Sequence, residues 1–432
     1  MTMRRRTLLT AAAALAAAPG FARGNRGDGG PLAALTDPAD PDGVLGLAVI
    51  ARGPDGAVTL SAAHGLGMTR GDGAPATRPF TLDTPMRIAS ISKLVAMTGL
   101  MTLVEAGRLS LDADAGDLAG FALRHPAHPQ VRITPAMLAS HTSGLRNGVS
   151  YPVPLGRALS EAFTPGGRHH DDGAWYAPAA EPPGFYAYAD VNFAVLAQIV
   201  ERVSGERFDR FMTRTVLAPL GLDAGYNWSG VGDAARARAS ACCRRVDGVW
   251  SPQVDAVVPA APTIRVLAAD DQPTLTADDY RVGENGFVFS PQGGLRASVR
   301  DLHRLAGFYA GSGPPPASPI VSRETLRRME TPLWRYDGGN GHTDRGLLQA
   351  WGLSVHVPTG RAGDAFFGPD SADWRGHFGI AYGLQSGLFW NRRDGRTISY
   401  MISGTSRDGE GLSGAGSAAS PWEEAILEAA LG

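Results

Sequence analysis

Of the 40 basic residues in this 432-residue chain, 39 are arginines, and the single lysine is Lys93. Cysteine is almost as scarce: there are two, adjacent at Cys242 and Cys243. Adjacent cysteines bridge poorly, and no others exist to build a disulfide framework or a thiolate metal site, so the fold stands without staples. Excess charge of either sign is also missing. The formal net charge is −2 with 19% charged residues, which excludes the basic footprint of a nucleic-acid binder. Beyond the N-terminal segment, no stretch approaches the ~20 uninterrupted apolar residues of a membrane span, so no transmembrane segment is expected in the mature chain. Two hydrolase signatures are absent as well. Gly-x-Ser-x-Gly, the nucleophile elbow of α/β-hydrolases, does not occur, and neither does the zinc-binding His-Glu-x-x-His.

The remaining sequence is an ordinary globular one, 44% apolar and long enough for a large domain with a second lobe. Arg4, Arg5 and Arg6 precede an alanine-rich stretch over 7–18 and small residues up to Ala22. This pattern predicts a cleaved signal peptide over 1–22, of twin-arginine or ordinary secretory type, and a periplasmic or secreted protein. Two β-favouring runs over 43–65 flank Pro54-Asp55-Gly56 and read as a strand pair. A helix is predicted from Ser90 to Gly107, with Leu94, Met97, Met101 and Val104 on one buried face. Strand signals return in WGLSVHV (351–357), GLQSGLFWN (383–391) and RTISYMISG (396–404), and a short helix closes the chain over 421–431. The middle is helical and loop-rich, with long irregular stretches at 164–184 and 259–286 that suit substrate-facing loops or surface insertions.

Ser90-Ile91-Ser92-Lys93 is the segment that carries chemistry. Residues three apart at a helix start share a face, so the Lys93 amine can reach the Ser90 hydroxyl. The first helical N–H groups lack intrahelical acceptors, which makes the Ser90 N–H one donor for an oxyanion. A lysine can lose its proton at accessible pH and an arginine cannot, so the one surviving lysine beside a serine favours a proton carrier over a mere surface cation.

Several further pieces resemble the β-lactamase and penicillin-binding-protein superfamily, in its class C, D,D-peptidase and family VIII esterase branch. They are FTLDTPMRIASISKLVAMTGLMTLVEAGRLSLD, ITPAMLASHTSGL, Tyr186-Ala187-Tyr188-Ala189-Asp190, FSPQGGLRASVRDLHRL and Gly376-His377-Phe378-Gly379, in the family's order over about 45–430. The resemblance implies a two-lobe α/β (α+β) fold over 31–432. An antiparallel sheet from both chain ends (about 31–107 and 350–432) is flanked by helices, and a mainly helical lobe covers about 108–349. It further implies an acyl-enzyme on Ser90, with Lys93 beside it and Tyr188 as general base and acid. Gly379 is expected on an edge strand with His377, and the Ile380 N–H completes the oxyanion hole. Tyr186 is the rival for the base. No cofactor or metal is expected; the substrate is a small ester, amide or peptide.

Two departures bear on that substrate. Asp190 stands where the lactamases carry asparagine, so an amide donor becomes an acceptor, and a carboxylate beside Lys93 would keep it charged. Asp190 is equally placed to cap the following helix. His377 replaces a lysine, removing a fixed cation for a substrate carboxylate. An esterase or D-amino-acid peptidase is therefore expected. A class C β-lactamase and a non-catalytic binding protein that keeps the fold are the alternatives. His141 reads as a structural histidine fixing a turn, His169-His170-Asp171-Asp172 as a solvated loop, and Trp374 and Trp390 as cleft or core residues.

Overall fold

The computed structural model describes residues 30–432 apart from 71–74, 259–263, 265 and 408–411. The signal-peptide segment and part of the 259–286 loop lie outside the described residues. Six strands form one antiparallel sheet: β1 (Gly46–Arg52), β2 (Val58–Arg70), β3 (Pro75–Pro79), β4 (Trp374–Ala381), β5 (Leu384–Asn391) and β6 (Thr397–Ile402). Their order is β4-β5-β6-β1-β2-β3, so the two chain ends meet where β6 pairs with β1. The expected sheet from both termini is present.

Both faces of the sheet are covered, as the period-2 alternation of its strands requires. Along β1, Leu47, Val49 and Ala51 face one core with Trp422, Ile426 and Leu427 of the C-terminal helix. Ala48 and Ile50 face the other, larger core. Four helices matter for the site: α1 (Ile91–Glu105), α2 (Val191–Ser204), α3 (Val299–Ala310) and α4 (Pro421–Leu431). Helix α3 lies on β1, β5 and β6, and α4 packs on the opposite side. Ser298 and Ser420 start these two helices as capping boxes with Asp301 and Glu423.

Helix α1 departs from the one-sided burial predicted for it. Twelve of its fifteen residues are buried, because it sits between the sheet and α2 and opens to solvent only in its last turn, at Thr102, Val104 and Glu105. WGLSVHV is not a sheet strand either. Ala350–Trp351 pairs with Trp334–Arg335 as a two-residue strand, and Ser354 takes a left-handed φ of 58° that folds the chain back so that His356 bridges Trp351. His356 then exchanges backbone hydrogen bonds with Gly376 on the outer edge of β4 (2.8 and 3.2 Å). Trp351, Leu353, Val355 and Val357 are all buried, so the apolar pattern recorded burial, not pairing. Cys242 and Cys243 are free and buried in a small separate sheet, with burial raising both thiol pKa values.

Candidate active site

Ser90 sits at the N-terminus of α1, immediately after Ala89, whose φ of 46° is costly for a residue with a Cβ. That turn is held from both sides. The Ile88 N–H donates to the Leu295 carbonyl at 3.0 Å, and the Ile88 carbonyl accepts from Ser386 Oγ of β5 at 3.0 Å. Gly379 of β4 lies against the same turn. A Cβ there would fall 2.5 Å from the Ile88 oxygen and 2.4 Å from Ser386 Oγ, so only glycine lets the edge strand approach the serine.

Lys93, one turn into α1, is completely buried. Its ammonium points at three acceptors: Ser90 Oγ at 3.0 Å, the Gln292 carbonyl at 2.8 Å and Asp190 Oδ1 at 2.7 Å. Three acceptors match the three N–H bonds of an ammonium, the arrangement a buried charge requires. Burial opposes the charge, yet Asp190 and Tyr188 outweigh it and hold the lysine above its ordinary pKa. The second oxygen of Asp190 accepts from Tyr151 Oη at 3.1 Å. Asp190 does not cap α2; Asn147 Oδ1 accepts the Val191 N–H at 3.0 Å instead. The carboxylate has a cation to meet, and the amide takes over the cap.

Tyr188 stands beside the ammonium, which lies 4.8 Å from its ring centroid. Its buried hydroxyl has no hydrogen-bond partner of normal geometry, but lies within electrostatic reach of Lys93 and Ser90. Burial raises the phenol pKa, and Lys93 opposes that rise without cancelling it. The Tyr188 ring stacks on His141 at 4.1 Å, and His141 Nδ1 accepts from the Ala189 N–H (3.2 Å) and Asn192 Nδ2 (3.1 Å). Burial and Lys93 hold His141 well below its ordinary pKa. The left-handed turn at His141 (φ 56°) is thus where the sequence reading put it, and it also backs Tyr188. Tyr186 points elsewhere, fully buried and stacked on Trp334 at 4.2 Å.

His377 is buried on β4, where its Nδ1–H donates to the Phe378 carbonyl. A carbonyl only accepts, so Nε2 carries the lone pair. Burial, then the charge of Lys93, lower the pKa of His377 to about 3, so the ring is neutral. Gly376 points its N–H and C=O away from β5, toward His356. Strand alternation in the unbroken β4–β5 register turns the Ile380 N–H the same way. Ile380 and Ser90 line one cavity of about 340 Å3 together with Tyr188, His377, Trp351 and His356. The structure therefore gathers Ser90, Lys93, Tyr188, Asp190, His377, Gly379 and Ile380 in one place. Trp374 and Trp390 are core residues; the tryptophan lining the cavity is Trp351. Tyr151, Gln292, Trp351 and His356 were not picked out from the sequence, and none lies in a spacing that marks it.

This constellation on this fold defines a class: a β-lactamase-like fold with a serine, a lysine and a tyrosine gathered at the start of α1. The family model for beta-lactamase matches residues 33–420, and the chain belongs to that family. Among sequences, it is 30% identical over 143 residues to "Penicillin-binding protein 4" of Amycolatopsis lactamdurans, a match covering 33% of this chain and only 36% of that protein. Among solved structures, it resembles "EstCE1, a hydrolase with promiscuous acyltransferase activity", with a TM-score of 0.63 and 18% identity over 93% of this chain and 97% of that one. A class C beta lactamase from Rhodobacter sphaeroides gives 0.61 and 17% over 92% and 96%. The family is one of β-lactamase-fold serine hydrolases, and esterase, D-peptidase and β-lactamase proteins are among the neighbours of this chain.

Proposed function

We propose that the chain is a serine hydrolase that cleaves esters or small amides through an acyl-enzyme on Ser90, with a preference for substrates lacking a carboxylate. The observation carrying it is the contact of Lys93 Nζ with Ser90 Oγ at 3.0 Å, at the edge of a cavity that Tyr188 and Ile380 also line. In this reading the Lys93–Tyr188 pair first gives up one proton to solvent, and the pair so deprotonated takes the Ser90 proton as Oγ attacks the carbonyl carbon. The oxyanion is stabilised by the N–H groups of Ser90 and Ile380. Tyr188 protonates the leaving group, and a water molecule repeats the sequence in reverse to release the acid.

The substrate preference rests on His377 and Asp190. A neutral imidazole whose Nε2 is an acceptor offers nothing to a carboxylate, and Asp190 has no amide N–H to give an acylamino carbonyl. A hydrogen bond to a charged group is worth ~1.5–3 kcal/mol, so the missing carboxylate contact costs a β-lactam roughly ten-fold or more in kcat/KM. A fluorophosphonate should add to the wild-type protein at Ser90 and not to Ser90→Ala. kcat/KM for a short p-nitrophenyl ester should exceed that for nitrocefin. Equal labelling of Ser90→Ala overturns the nucleophile, and faster nitrocefin turnover overturns the preference. Residues 1–22 support export by this reading, testable by cell fractionation with Arg4 and Arg5 replaced by lysine to separate the twin-arginine route from ordinary secretion.

A further inference from the structure

Four groups close a ring around the lysine charge. Asp190 Oδ1 binds Lys93, Asp190 Oδ2 accepts from Tyr151 Oη at 3.1 Å, Tyr151 Oη accepts from Gln292 Nε2 at 3.1 Å, and the Gln292 carbonyl returns to Lys93. Tyr151 links the residues that supply two of the three acceptors of the ammonium, bonding the Asp190 carboxylate directly and Gln292 through its side-chain amide. Its ring is fixed edge-on against Phe287 at 5.2 Å. Burial and then Asp190 raise its pKa, so it stays a donor. We infer that Tyr151 is a positioning residue, whose hydroxyl holds the Asp190 carboxylate and the Gln292 side chain in place and thereby sets how firmly Lys93 keeps its proton. The inference rests on the reading of Ser90, Lys93 and Tyr188 as the catalytic centre.

The chemistry explains why such a clamp belongs here. A carboxylate at position 190 has a second oxygen, and the Asp190 side chain is 28% exposed. Left alone, it could rotate toward water or confront a substrate carbonyl, acceptor against acceptor. The Tyr151 proton occupies that oxygen and keeps the other one on Lys93. The remaining titratable groups facing the ammonium leave this control intact. His141 and His377 are held neutral, Tyr188 remains a phenol, and Tyr382 acts on Tyr151 only at longer range.

The single lysine makes the test direct, because lysine-selective isotope labelling gives one side-chain ammonium signal. In the full-length protein, Tyr151→Phe keeps the ring and removes the hydroxyl. The Lys93 pKa, followed by NMR, should fall by about 0.5–1 unit, against about 1–3 units in Asp190→Asn, and the double variant should fall no further than Asp190→Asn alone. At alkaline pH, where the base is free in both proteins, the hydroxyl effect on turnover should appear as a three- to ten-fold drop in kcat, equal across several esters, with KM nearly unchanged. An unchanged Lys93 titration in Tyr151→Phe overturns the inference. So does a fully additive double variant, or a defect confined to KM that differs from ester to ester. If the Lys93 shifts follow this order while the wild type neither labels at Ser90 nor turns over any ester, the clamp stands and the catalytic reading falls.

Discussion

Replacing Lys93 by arginine keeps a positive charge and removes a proton carrier, so it separates the two roles a buried cation can have. The ammonium is wholly enclosed and lies 2.7–3.0 Å from all three of its acceptors. A planar guanidinium cannot converge on acceptors arranged around a point, and its extra atoms must push into packed neighbours. Overpacking of this kind costs about 1–3 kcal/mol, within what a domain of this size tolerates. Charge deletion is harsher. Lys93→Met leaves Asp190 without its cation and should cost about 3–5 kcal/mol, the usual result of breaking a buried pair from one side. Turnover should behave the opposite way to stability. Arginine does not release its proton at accessible pH, so Lys93→Arg should lose about 10²–10⁴ in kcat although it folds better than Lys93→Met. Urea unfolding and p-nitrophenyl ester hydrolysis measured on the same preparations decide the matter. Cooperative unfolding of Lys93→Arg together with more than about a tenth of wild-type kcat would refute the proton-carrier argument and leave only a charge requirement.

Tyr188→Phe should lower kcat by about 10²–10⁴ in steady-state ester assays, whereas Tyr186→Phe, altering a ring stacked on Trp334, should leave kcat within a few-fold. The pH profile of kcat/KM should rise toward alkaline pH, since the site pushes the Lys93 and Tyr188 pKa values upward and the base must be unprotonated to act. It should show no inflection from His377, whose pKa of about 3 keeps it neutral throughout. Gly379→Ala should reduce kcat and thermal stability together, because its Cβ would strike Ser386 Oγ and the Ile88 carbonyl. Asp255 lies between Arg87 and Arg296; burial raises its pKa, but the two arginines hold it far below the ordinary carboxylate range. Its contribution to stability is complete above the unfolded pKa of about 3.9 and is lost as pH falls below that. Asp255→Ala, which leaves the buried Arg296 and the partly buried Arg87 without their carboxylate, should cost about 3 kcal/mol in denaturant unfolding at pH 7.

What could be read from the residues alone was what local geometry dictates. Ser90 and Lys93 are three apart on one helix, so their contact follows from helical pitch wherever the helix goes. The terminal strands show as apolar, β-favouring runs and α4 as a short closing helix, signals that need no tertiary information. Contacts made over long separations were legible only through the family resemblance, which placed Tyr188, His377, Gly379 and Ile380 beside Ser90; where it gave no residue, they were not. Gln292 reaches Lys93 from 199 residues away and Tyr151 reaches Asp190 from 39, both from loops without periodicity. The same limit explains the misread WGLSVHV segment. Burial shaped its apolar pattern, while a left-handed turn at Ser354, invisible to periodicity, broke it into short bridges instead of one continuous strand.

Asp190 shows how far one substitution propagates through such a site. An asparagine there would offer its oxygen to Lys93 and its N–H2 to a substrate; the carboxylate offers two acceptors and a charge. One acceptor strengthens the hold on the Lys93 proton, and the other requires a donor of its own, which Tyr151 supplies. A residue that could have capped α2 is thereby taken out of the cap, and Asn147 fills that role. The substrate side loses a hydrogen-bond donor at the same time as His377, fixed as a neutral acceptor, withdraws a cation from the edge strand. In the proposed reading both changes remove recognition of charged, acylamino-bearing substrates, and neither touches the Ser90 Oγ contact with Lys93. The combination therefore points to a site that kept its acyl-transfer machinery while giving up the contacts a β-lactam would use.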